Sequence, residues 1–351
     1  MKAARFHGRG DVRVEDIPEP HPAPGQIQVA VEWCGICGTD LHEFLDGPIF
    51  TPTPDAPHPL TGGAVPVTLG HEFSGVVAEV GQGVTGLREG DRVVVEPYDV
   101  CGTCVACRDG RYNICRQLGF IGLDGDQGGF AEKMVVDARW AHSIEGLSTE
   151  QGALVEPLAV GYHAAKLSGL RSGGTAAVFG SGPIGLVTAA ALRATGAGQV
   201  IVVEPAEARK AKAPGAGADH VLDPTEVDVP EAIRELTDGR GADVTFECAG
   251  IDQVLASAVA STAPGGTCVN VSIWGHPATF DVNSLVFSEV TLIGSLAYAN
   301  RHAEVIELIR SGTVDVEQFI TGRIALEDIV DRGFRELIDH KESNVKILVH
   351  P

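Results

Sequence analysis

The stretch that decides the fold reads TAAVFGSGPIGLVTAAALRATGAGQVIVVE and spans residues 175–204. Its first five residues predict a buried strand, residues 183–195 predict a helix, and residues 199–204 predict a second strand. Three glycines follow the first strand, Gly180 and Gly182 before the predicted helix and Gly185 in its first turn. This G-x-G-x-x-G spacing, directly after a strand and at the start of a helix, is typical of a turn that binds a dinucleotide.

The glycines of this turn have separate predicted roles. Gly180 permits the tight turn, Gly182 lets the backbone approach a pyrophosphate, and Gly185 lets the helix pack on the strand. The pyrophosphate would rest on the N-terminus of the helix, where backbone N–H groups have no partner within the helix. The residues that open this helix, and so belong to the candidate cofactor site, are Pro183 and Ile184.

An acidic residue at the end of the second strand, Glu204, indicates which dinucleotide would bind. Its carboxylate would accept hydrogen bonds from the adenosine ribose hydroxyls and would repel a 2′-phosphate, which favours NAD over NADP. Arg209 lies close behind it in the chain and could flank the same ribose. We therefore predict NAD as the cofactor, with some tolerance of NADP.

The segments on either side of this motif differ in character. Strands and helices alternate as far as about residue 293, which predicts βαβ units and a parallel sheet. The first 150 residues instead predict short strands and long loops, with no helix before about Ser148, and residues 50–66 are too rich in proline for a strand or a helix. Beyond Gly294 we predict two helices, at residues 300–311 and 326–338, and then a final strand at 345–349.

Four cysteines within a short segment form the strongest metal motif. They follow the pattern C-x2-C-x2-C-x7-C. Four thiolates can close a tetrahedral shell around one zinc ion and leave no position for a substrate, so this pattern predicts a structural zinc site rather than a catalytic one. Its ligands would be Cys101, Cys104, Cys107 and Cys115.

A second candidate metal site combines Cys37 with His71 and a carboxylate. Three protein ligands leave one position of a zinc ion open, where the metal would act as a Lewis acid on an alcohol oxygen. The carboxylate candidates are Glu72, next to His71, and Glu156, an acidic residue in an apolar run. Two other interpretations stay open: Cys34 and Cys37 as a redox pair, and Glu156 as a charge at a helix N-terminus.

Composition excludes several classes of function. The chain has 351 residues, which suggests two domains, and its net charge is −21. So large a deficit of cations argues against nucleic acid as a partner. Neither a signal peptide nor an apolar run of membrane-spanning length is visible in the sequence. We expect a cytoplasmic protein, no membrane partner, a small-molecule substrate and assembly into a homodimer or homotetramer.

The order of these motifs resembles the zinc-dependent medium-chain dehydrogenase/reductase family over essentially the whole chain. The resemblance implies an α/β fold in which a Rossmann domain, a doubly wound parallel sheet at residues 155–293, is inserted into a GroES-like β-rich catalytic domain. That catalytic domain would comprise residues 1–154 and 294–351, with a structural zinc lobe at about 97–118. Two zinc ions per chain are implied, one catalytic and one structural.

The resemblance also implies roles for single residues. The catalytic zinc ligands would be Cys37, His71 and Glu156, with Glu72 as the alternate or exchanging ligand. Thr39 and His42 stand where the family keeps a hydroxyl–imidazole proton relay, although a turn hydroxyl and an ordinary exposed imidazole would look the same in sequence. The positions that would line the nicotinamide are Ser272, Ile273, Leu296 and Ala297.

Residues 41–50 and the proline-rich loop that follows them resemble the (R,R)-2,3-butanediol dehydrogenase branch of that family. This implies hydride transfer between NAD(H) and a small vicinal diol or hydroxyketone, with butanediol and acetoin as the expected pair. One alternative is a dehydrogenase for sorbitol-type polyols or other secondary alcohols. An alternative of another class is a non-catalytic protein that binds NAD and zinc on the same scaffold.

Overall fold

The computed structural model describes all 351 residues, Met1–Pro351. The chain forms two compact units. The terminal unit contains both ends of the chain, Met1–Glu156 and His302–Pro351, and the inserted unit is Pro157–Arg301. The sequence places the second junction earlier, at residue 294.

The inserted unit is built on a six-stranded parallel sheet. In spatial order its strands are His220–Leu222, Gln199–Val203, Thr175–Phe179, Ala242–Glu247, Thr262–Asn270 and Thr291–Gly294. Numbered along the chain, this order is 3-2-1-4-5-6, the order of a doubly wound dinucleotide-binding sheet. The helices of this unit are Val155–Leu167 (which begins at the junction), Pro183–Ala194, Glu207–Lys210, Val229–Leu236, Asp252–Ser261 and Asn283–Ser288. The predicted Rossmann architecture is confirmed.

The terminal unit is rich in antiparallel strands. Its main sheet contains Ala141–Ser143, Arg92–Val95, Glu72–Val80, Gln26–Gly35, Lys346–His350 and Ile320–Ala325, and Lys133–Asp137 also pairs with Gln26–Gly35. A second sheet contains Asp11–Asp16, Lys2–Gly8 and Val67–Thr68, and a two-stranded ribbon joins Tyr98–Asp99 to Gly119–Phe120. The α-helices of this unit are Gly38–Asp46, Val105–Arg108, Thr149–Ala153, His302–Arg310 and Arg335–Asp339.

One prediction about the terminal unit is wrong: a helix, Gly38–Asp46, lies well before Ser148. We call it the first helix. Its buried face carries two acidic residues, Asp40 and Glu43, beside Phe44. Because helix patterns are recognised by apolar residues on one face, a short helix with buried carboxylates gives almost no such pattern.

The predicted helix at residues 326–338 is present only as a composite. A 3₁₀ turn, Leu326–Asp328, is followed by a π-helical segment, Ile329–Phe334, and then by the α-helix Arg335–Asp339. Gly333 lies within the π segment, where an added Cβ would stand 2.7 Å from Cδ1 of Ile36. The backbone therefore packs directly on a neighbouring side chain at this point. No helix in the structure combines the length and apolar character needed to cross a membrane.

Candidate active site

The first helix brings a thiol and a hydroxyl together at its N-terminus. Cys37 is the residue that caps this helix, and its backbone N–H donates a 2.9 Å hydrogen bond to Oδ2 of Asp40. Sγ of Cys37 lies 3.7 Å from Oγ1 of Thr39. Asp40 is fully buried. The capping interaction thus fixes the direction of the chain at Cys37, because it satisfies a backbone donor that the helix leaves free.

His71 and Glu72 reach the same point from a later segment of the chain. Glu72 begins the strand Glu72–Val80, and both residues are buried. One donor atom from each of Cys37, His71 and Glu72 lies within 4.8 Å of the others. The fold therefore assembles an imidazole, a thiol and a carboxylate from two segments, as the sequence predicts.

The electrostatic environment of this cluster suits a metal cation. Burial, followed by the negative charge of Glu72, raises the pKa of the Cys37 thiol well above its ordinary value. Burial likewise raises the pKa of Asp40 to about 6, against the opposing effect of His71. A zinc ion would supply the positive charge that lets these groups ionise, and metal binding releases thiol protons in this way.

Two buried polar atoms beside the cluster have no hydrogen-bond partner: Nδ1 of His71 and Oδ1 of Asp40. They face each other at 3.8 Å. In zinc sites a carboxylate commonly holds the distal nitrogen of a ligating histidine and so fixes its tautomer and ring orientation. A small shift of the His71 ring toward Asp40 would make that contact, so the residues present fit a zinc ion held by Cys37 and His71.

Lys346 is a member of the site that the sequence analysis missed. Its ammonium group is buried and donates to both carboxylate oxygens of Glu72, at 2.7 and 2.6 Å, and to the carbonyl oxygen of Ile36 at 3.0 Å. Burial would lower the pKa of Lys346, but the combined attraction of Glu72, Cys37 and Glu156 outweighs burial, so the pKa is raised. The signal in the sequence is a lone charged residue at the head of an apolar strand, Lys346–His350.

Glu156, the second carboxylate candidate, is buried near the cluster but is not part of the three-residue group. Its negative charge contributes to raising the pKa of both Cys37 and Lys346. Lys346 is a buried cation, whereas Glu72, Glu156 and Asp40 are buried acidic groups. Glu72 is thus held by a lysine, and Glu156 adds a further buried negative charge close to the cluster.

The predicted proton relay lies along the first helix. Thr39 is partly exposed beside Cys37, and His42 is exposed to solvent. Residues three apart lie on the same side of a helix, so the hydroxyl and the imidazole follow one another toward the surface. The arrangement suits a path from the metal cluster to water.

The four other predicted ligands form a compact group of sulfur atoms. Their measured Sγ–Sγ separations range from 3.5 to 4.0 Å. Tetrahedral ligands at a Zn–S distance of about 2.3 Å would lie roughly 3.8 Å apart. The residues are Cys101, Cys104, Cys107 and Cys115. The group therefore has the dimensions of a closed zinc site.

Backbone amides support these sulfurs. The N–H groups of Cys101 and Gln117 donate to Sγ of Cys115 at 3.4 Å. Hydrogen bonds from the backbone of Thr103 and Cys104 lower the pKa of the Cys101 thiol to about 6. Such donors stabilise thiolates, which are the form of cysteine that binds metal.

The glycine-rich turn of the inserted unit has the form that its spacing predicts. Gly180 adopts φ +95°, in the left-handed region, and Gly182 precedes Pro183 at the start of the helix. A Cβ on Gly185 would stand 1.8 Å from the carbonyl oxygen of Gly180, whereas one on Gly182 would meet nothing within 4 Å. The turn is thus closed where the helix meets the strand and open where a pyrophosphate would approach.

Glu204 follows the second strand and is buried. Its Oε2 accepts hydrogen bonds from the backbone N–H of Ser181 at 2.8 Å and from the Ser181 hydroxyl at 3.2 Å. Oε1 accepts from the N–H of Ala206 at 3.0 Å. The carboxylate therefore shapes the glycine-rich turn, a role the sequence did not show. Arg209 lies on the short helix that follows, Glu207–Lys210.

The residues predicted to line the nicotinamide follow the last two strands of the parallel sheet: Ser272, Ile273, Leu296 and Ala297. The structure therefore brings them to the same edge of the sheet as the glycine-rich turn. Of these residues, Ile273 and Leu296 are exposed, and the backbone of Ala297 has positive φ. The Ser272 hydroxyl donates to the fully buried carboxylate of Glu247.

Glu247 is a further residue that the sequence analysis missed. It also accepts 2.8 Å hydrogen bonds from the N–H groups of Ala249 and Gly250. Like Glu204, it is an acidic residue at the C-terminal end of a parallel strand, here Ala242–Glu247, and an acidic residue directly after an apolar run was the signal available in the sequence.

Known proteins resemble the chain over its whole length. Models of the alcohol dehydrogenase GroES-like domain and of the zinc-binding dehydrogenase match residues 23–146 and 183–311. An (R,R)-butanediol dehydrogenase from Neisseria gonorrhoeae is 50% identical, with 100% of this chain and 99% of the relative covered. A sorbitol dehydrogenase from Bacillus subtilis is 36% identical, with 100% and 97% covered.

Solved structures show the same relationship. The crystal structure of 2R,3R-butanediol dehydrogenase from Bacillus subtilis superposes with a TM-score of 0.94 at 46% identity, and the match covers 100% of this chain and 99% of that one. The predicted GroES-like and Rossmann combination and the predicted family are confirmed. The chain belongs to the zinc-binding alcohol dehydrogenase family.

Proposed function

We propose that this enzyme is an NAD-dependent dehydrogenase that interconverts (R,R)-2,3-butanediol and acetoin. The observation that carries the proposal is the 50% identity to an (R,R)-butanediol dehydrogenase over the whole chain, combined with an assembled metal cluster and an open glycine-rich turn. Sorbitol dehydrogenases are relatives at lower identity, and they support a polyol dehydrogenase as the second candidate function. The grouping of Cys37, His71 and Glu72 and the open glycine-rich turn support a catalytic role over a non-catalytic one.

The residues divide the chemistry among them. A zinc ion at the first cluster would polarise the alcohol oxygen as a Lewis acid, and a bound nicotinamide would accept the hydride. Cys37 and His71 would hold that zinc together with the carboxylate of Glu156. Glu72 is hydrogen-bonded to Lys346. Asp40 would orient the His71 ring through Nδ1.

The proton of the alcohol has a route along the first helix. The hydroxyl of Thr39 stands 3.7 Å from Sγ of Cys37, and it would accept a hydrogen bond from the O–H group of a bound alcohol. His42 is exposed, so its imidazole would pass the proton to water. The four-cysteine group would hold a second zinc ion with a structural role, so that each chain carries two.

Substrate choice tests the proposal directly. We expect oxidation of 2,3-butanediol and reduction of acetoin to exceed oxidation of sorbitol by at least about 10²-fold in kcat/KM. Near the exposed apolar side chains of Ile49 and Phe50, the extra hydroxyls of a six-carbon polyol would lose water without gaining hydrogen-bond partners, at a cost of about 1–3 kcal/mol each. Absorbance at 340 nm with NAD and a panel of diols and polyols measures this ratio. Equal or faster turnover of sorbitol would establish the polyol alternative instead.

Cofactor choice provides a second test. Replacing Glu204 with serine should lower the preference for NAD over NADP in kcat/KM by at least about tenfold, or roughly 1.4 kcal/mol. The change removes an acceptor for the ribose hydroxyls and a negative charge that repels a 2′-phosphate. Since Glu204 also binds Ser181, affinity for both cofactors should fall, and only the ratio reports the choice. Glu207→Gln on the adjoining helix, where the side chain is exposed, is the control. An unchanged ratio would assign the choice to another residue.

The cytoplasmic location and the homodimeric or homotetrameric assembly stay predictions. Size-exclusion chromatography with light scattering measures the assembly without any assumption about the substrate.

A further inference from the structure

The segment between Gly47 and Pro66, which we call the insert loop, is fastened to the first helix by one buried side chain. Glu43 is fully buried. Its carboxylate accepts hydrogen bonds from the backbone N–H groups of three successive loop residues, Ile49, Phe50 and Thr51. The hydroxyl of Thr51 donates to Oε2 of Glu43 at 2.7 Å as a fourth bond.

This set of contacts makes Glu43 a specific anchor. These donors to its carboxylate all belong to the insert loop, and the hydrogen bond from the Phe50 N–H is 2.5 Å long. Gly47 packs so closely that an added Cβ would lie 2.5 Å from Oε2 of Glu43. A carboxylate buried away from water is unfavourable unless its oxygens accept hydrogen bonds, so burial of Glu43 and placement of the loop depend on each other.

The loop residues held in this way display apolar side chains to solvent. Ile49 is 50% exposed and Phe50 is 44% exposed. Their backbone is fixed by a buried carboxylate while their side chains remain uncovered. Apolar side chains that are exposed and held rigidly are typical of surfaces that contact a ligand.

The insert loop is connected at two points to segments that carry or contact the candidate metal ligands. At its start, Glu43 stands one helical turn, about 5.4 Å, beyond Thr39 on the same side of the first helix. Further along, Nε2 of His58 lies 3.3 Å from the carbonyl oxygen of Leu118, and the ring of Phe120 is centred 6.4 Å from that of His71. The loop is thus tied at two points to segments that contact the metal-binding residues.

We propose that Glu43 is a positioning residue for substrate selection. It holds Ile49 and Phe50 as the apolar side of the site, against which the carbon chain of a short diol packs and the hydroxyls of a longer polyol find no partner. Glu43 touches neither the metal nor the substrate and acts through the loop. The inference rests on the proposed function, because it explains how the same site favours four carbons over six.

The test is Glu43→Gln in the full-length, zinc-loaded protein. Glutamine has nearly the same size, but its NH₂ group cannot accept from the backbone donors that now surround both oxygens. We expect the KM for (R,R)-2,3-butanediol to rise about tenfold, with kcat within about threefold of the wild type and the KM for NAD unchanged. The butanediol-to-sorbitol ratio of kcat/KM should fall about tenfold, and the amide protons of residues 49–51 should exchange faster.

Two further variants separate positioning from stability. Phe50→Ala keeps the anchor and removes one apolar side chain, so it should lower the same substrate ratio without faster amide exchange at Thr51. Glu96→Gln is the matched control, since Glu96 is also a buried carboxylate and accepts from Tyr112 and His142, neither of which belongs to the insert loop. We expect that change to lower Tm and to leave the substrate ratio as in the wild type.

The outcomes distinguish this inference from the proposed function. The wild-type ratio for butanediol and sorbitol decides the proposed function, whereas the change in that ratio between wild type and Glu43→Gln decides the role of Glu43. If Glu43→Gln speeds amide exchange or lowers Tm but leaves both the ratio and the alcohol KM unchanged, the positioning role is wrong, whichever alcohol the wild type prefers.

Discussion

Replacing Cys37 with alanine is expected to lower kcat/KM for alcohol oxidation by at least about 10³-fold, or roughly 4 kcal/mol of transition-state stabilisation. The expectation follows from the cluster of Cys37, His71 and Glu72, in which the thiol is one of the three candidate ligands. Without the thiol, His71 and a carboxylate alone would have to retain the metal. Initial rates of NADH formation and zinc content by elemental analysis measure the two effects.

Cys34→Ala is the matched control for that variant. Cys34 lies three residues before Cys37, but it is fully buried and stands outside the metal cluster. Burial raises the pKa of its thiol well above the ordinary value. We expect the control to keep zinc and most of its activity at a modest cost in stability. Full activity in Cys37→Ala, or equal loss in both variants, would contradict the assignment and favour a redox pair.

The folded state of Cys37→Ala should stay close to that of the wild type. Cys37 is partly exposed at the start of the first helix, and the capping interaction runs from its backbone N–H to Asp40 rather than from its side chain. The Tm and the circular dichroism spectrum therefore separate a catalytic defect from an unfolded protein. A large fall in Tm would show that this metal is needed for folding as well.

Sequence predicted the inserted unit better than the terminal unit, for a physical reason. Parallel strands buried on both faces are nearly continuous apolar runs, as in Thr175–Phe179, and glycine motifs mark the turns between them. The fixed spacing of the cysteines likewise predicted which thiols lie together, because ligands close in sequence need only a local turn. These patterns depend on neighbouring residues, which a sequence displays directly.

What the sequence did not show depends on partners far apart in the chain. Lys346 bonds to Glu72, 274 positions away, and neither residue predicts the other. The sequence did not predict the first helix, because acidic residues such as Asp40 and Glu43 are usually expected at the surface. In the structure both are buried, with hydrogen-bond partners at Cys37 and in the insert loop. Buried polar residues are satisfied by tertiary structure, so their placement follows from the fold rather than from local pattern.

Cys104→Ala should have the opposite profile to Cys37→Ala. We expect the free energy of unfolding of the terminal unit to fall by at least about 3 kcal/mol, which corresponds to a Tm lower by roughly 6–12 °C, and zinc content to fall by one ion per chain. Four sulfur atoms at 3.5–4.0 Å separations would close a shell around one zinc ion, so the loss of one ligand would open that shell and release the metal.

The effect should extend beyond the cysteines, because the lobe is joined to the sheet by polar and aromatic contacts. Tyr112, between the third and fourth cysteine, donates a 2.6 Å hydrogen bond to the buried carboxylate of Glu96, and its ring packs 5.1 Å from Trp140. If the lobe opens, Glu96 loses a donor while buried, which is costly. Arg108→Ala is the control within the lobe, since it removes an exposed side chain and keeps all four thiols. Unchanged Tm and zinc content in Cys104→Ala, alongside an unchanged control, would show that the four thiols do not hold a structural metal.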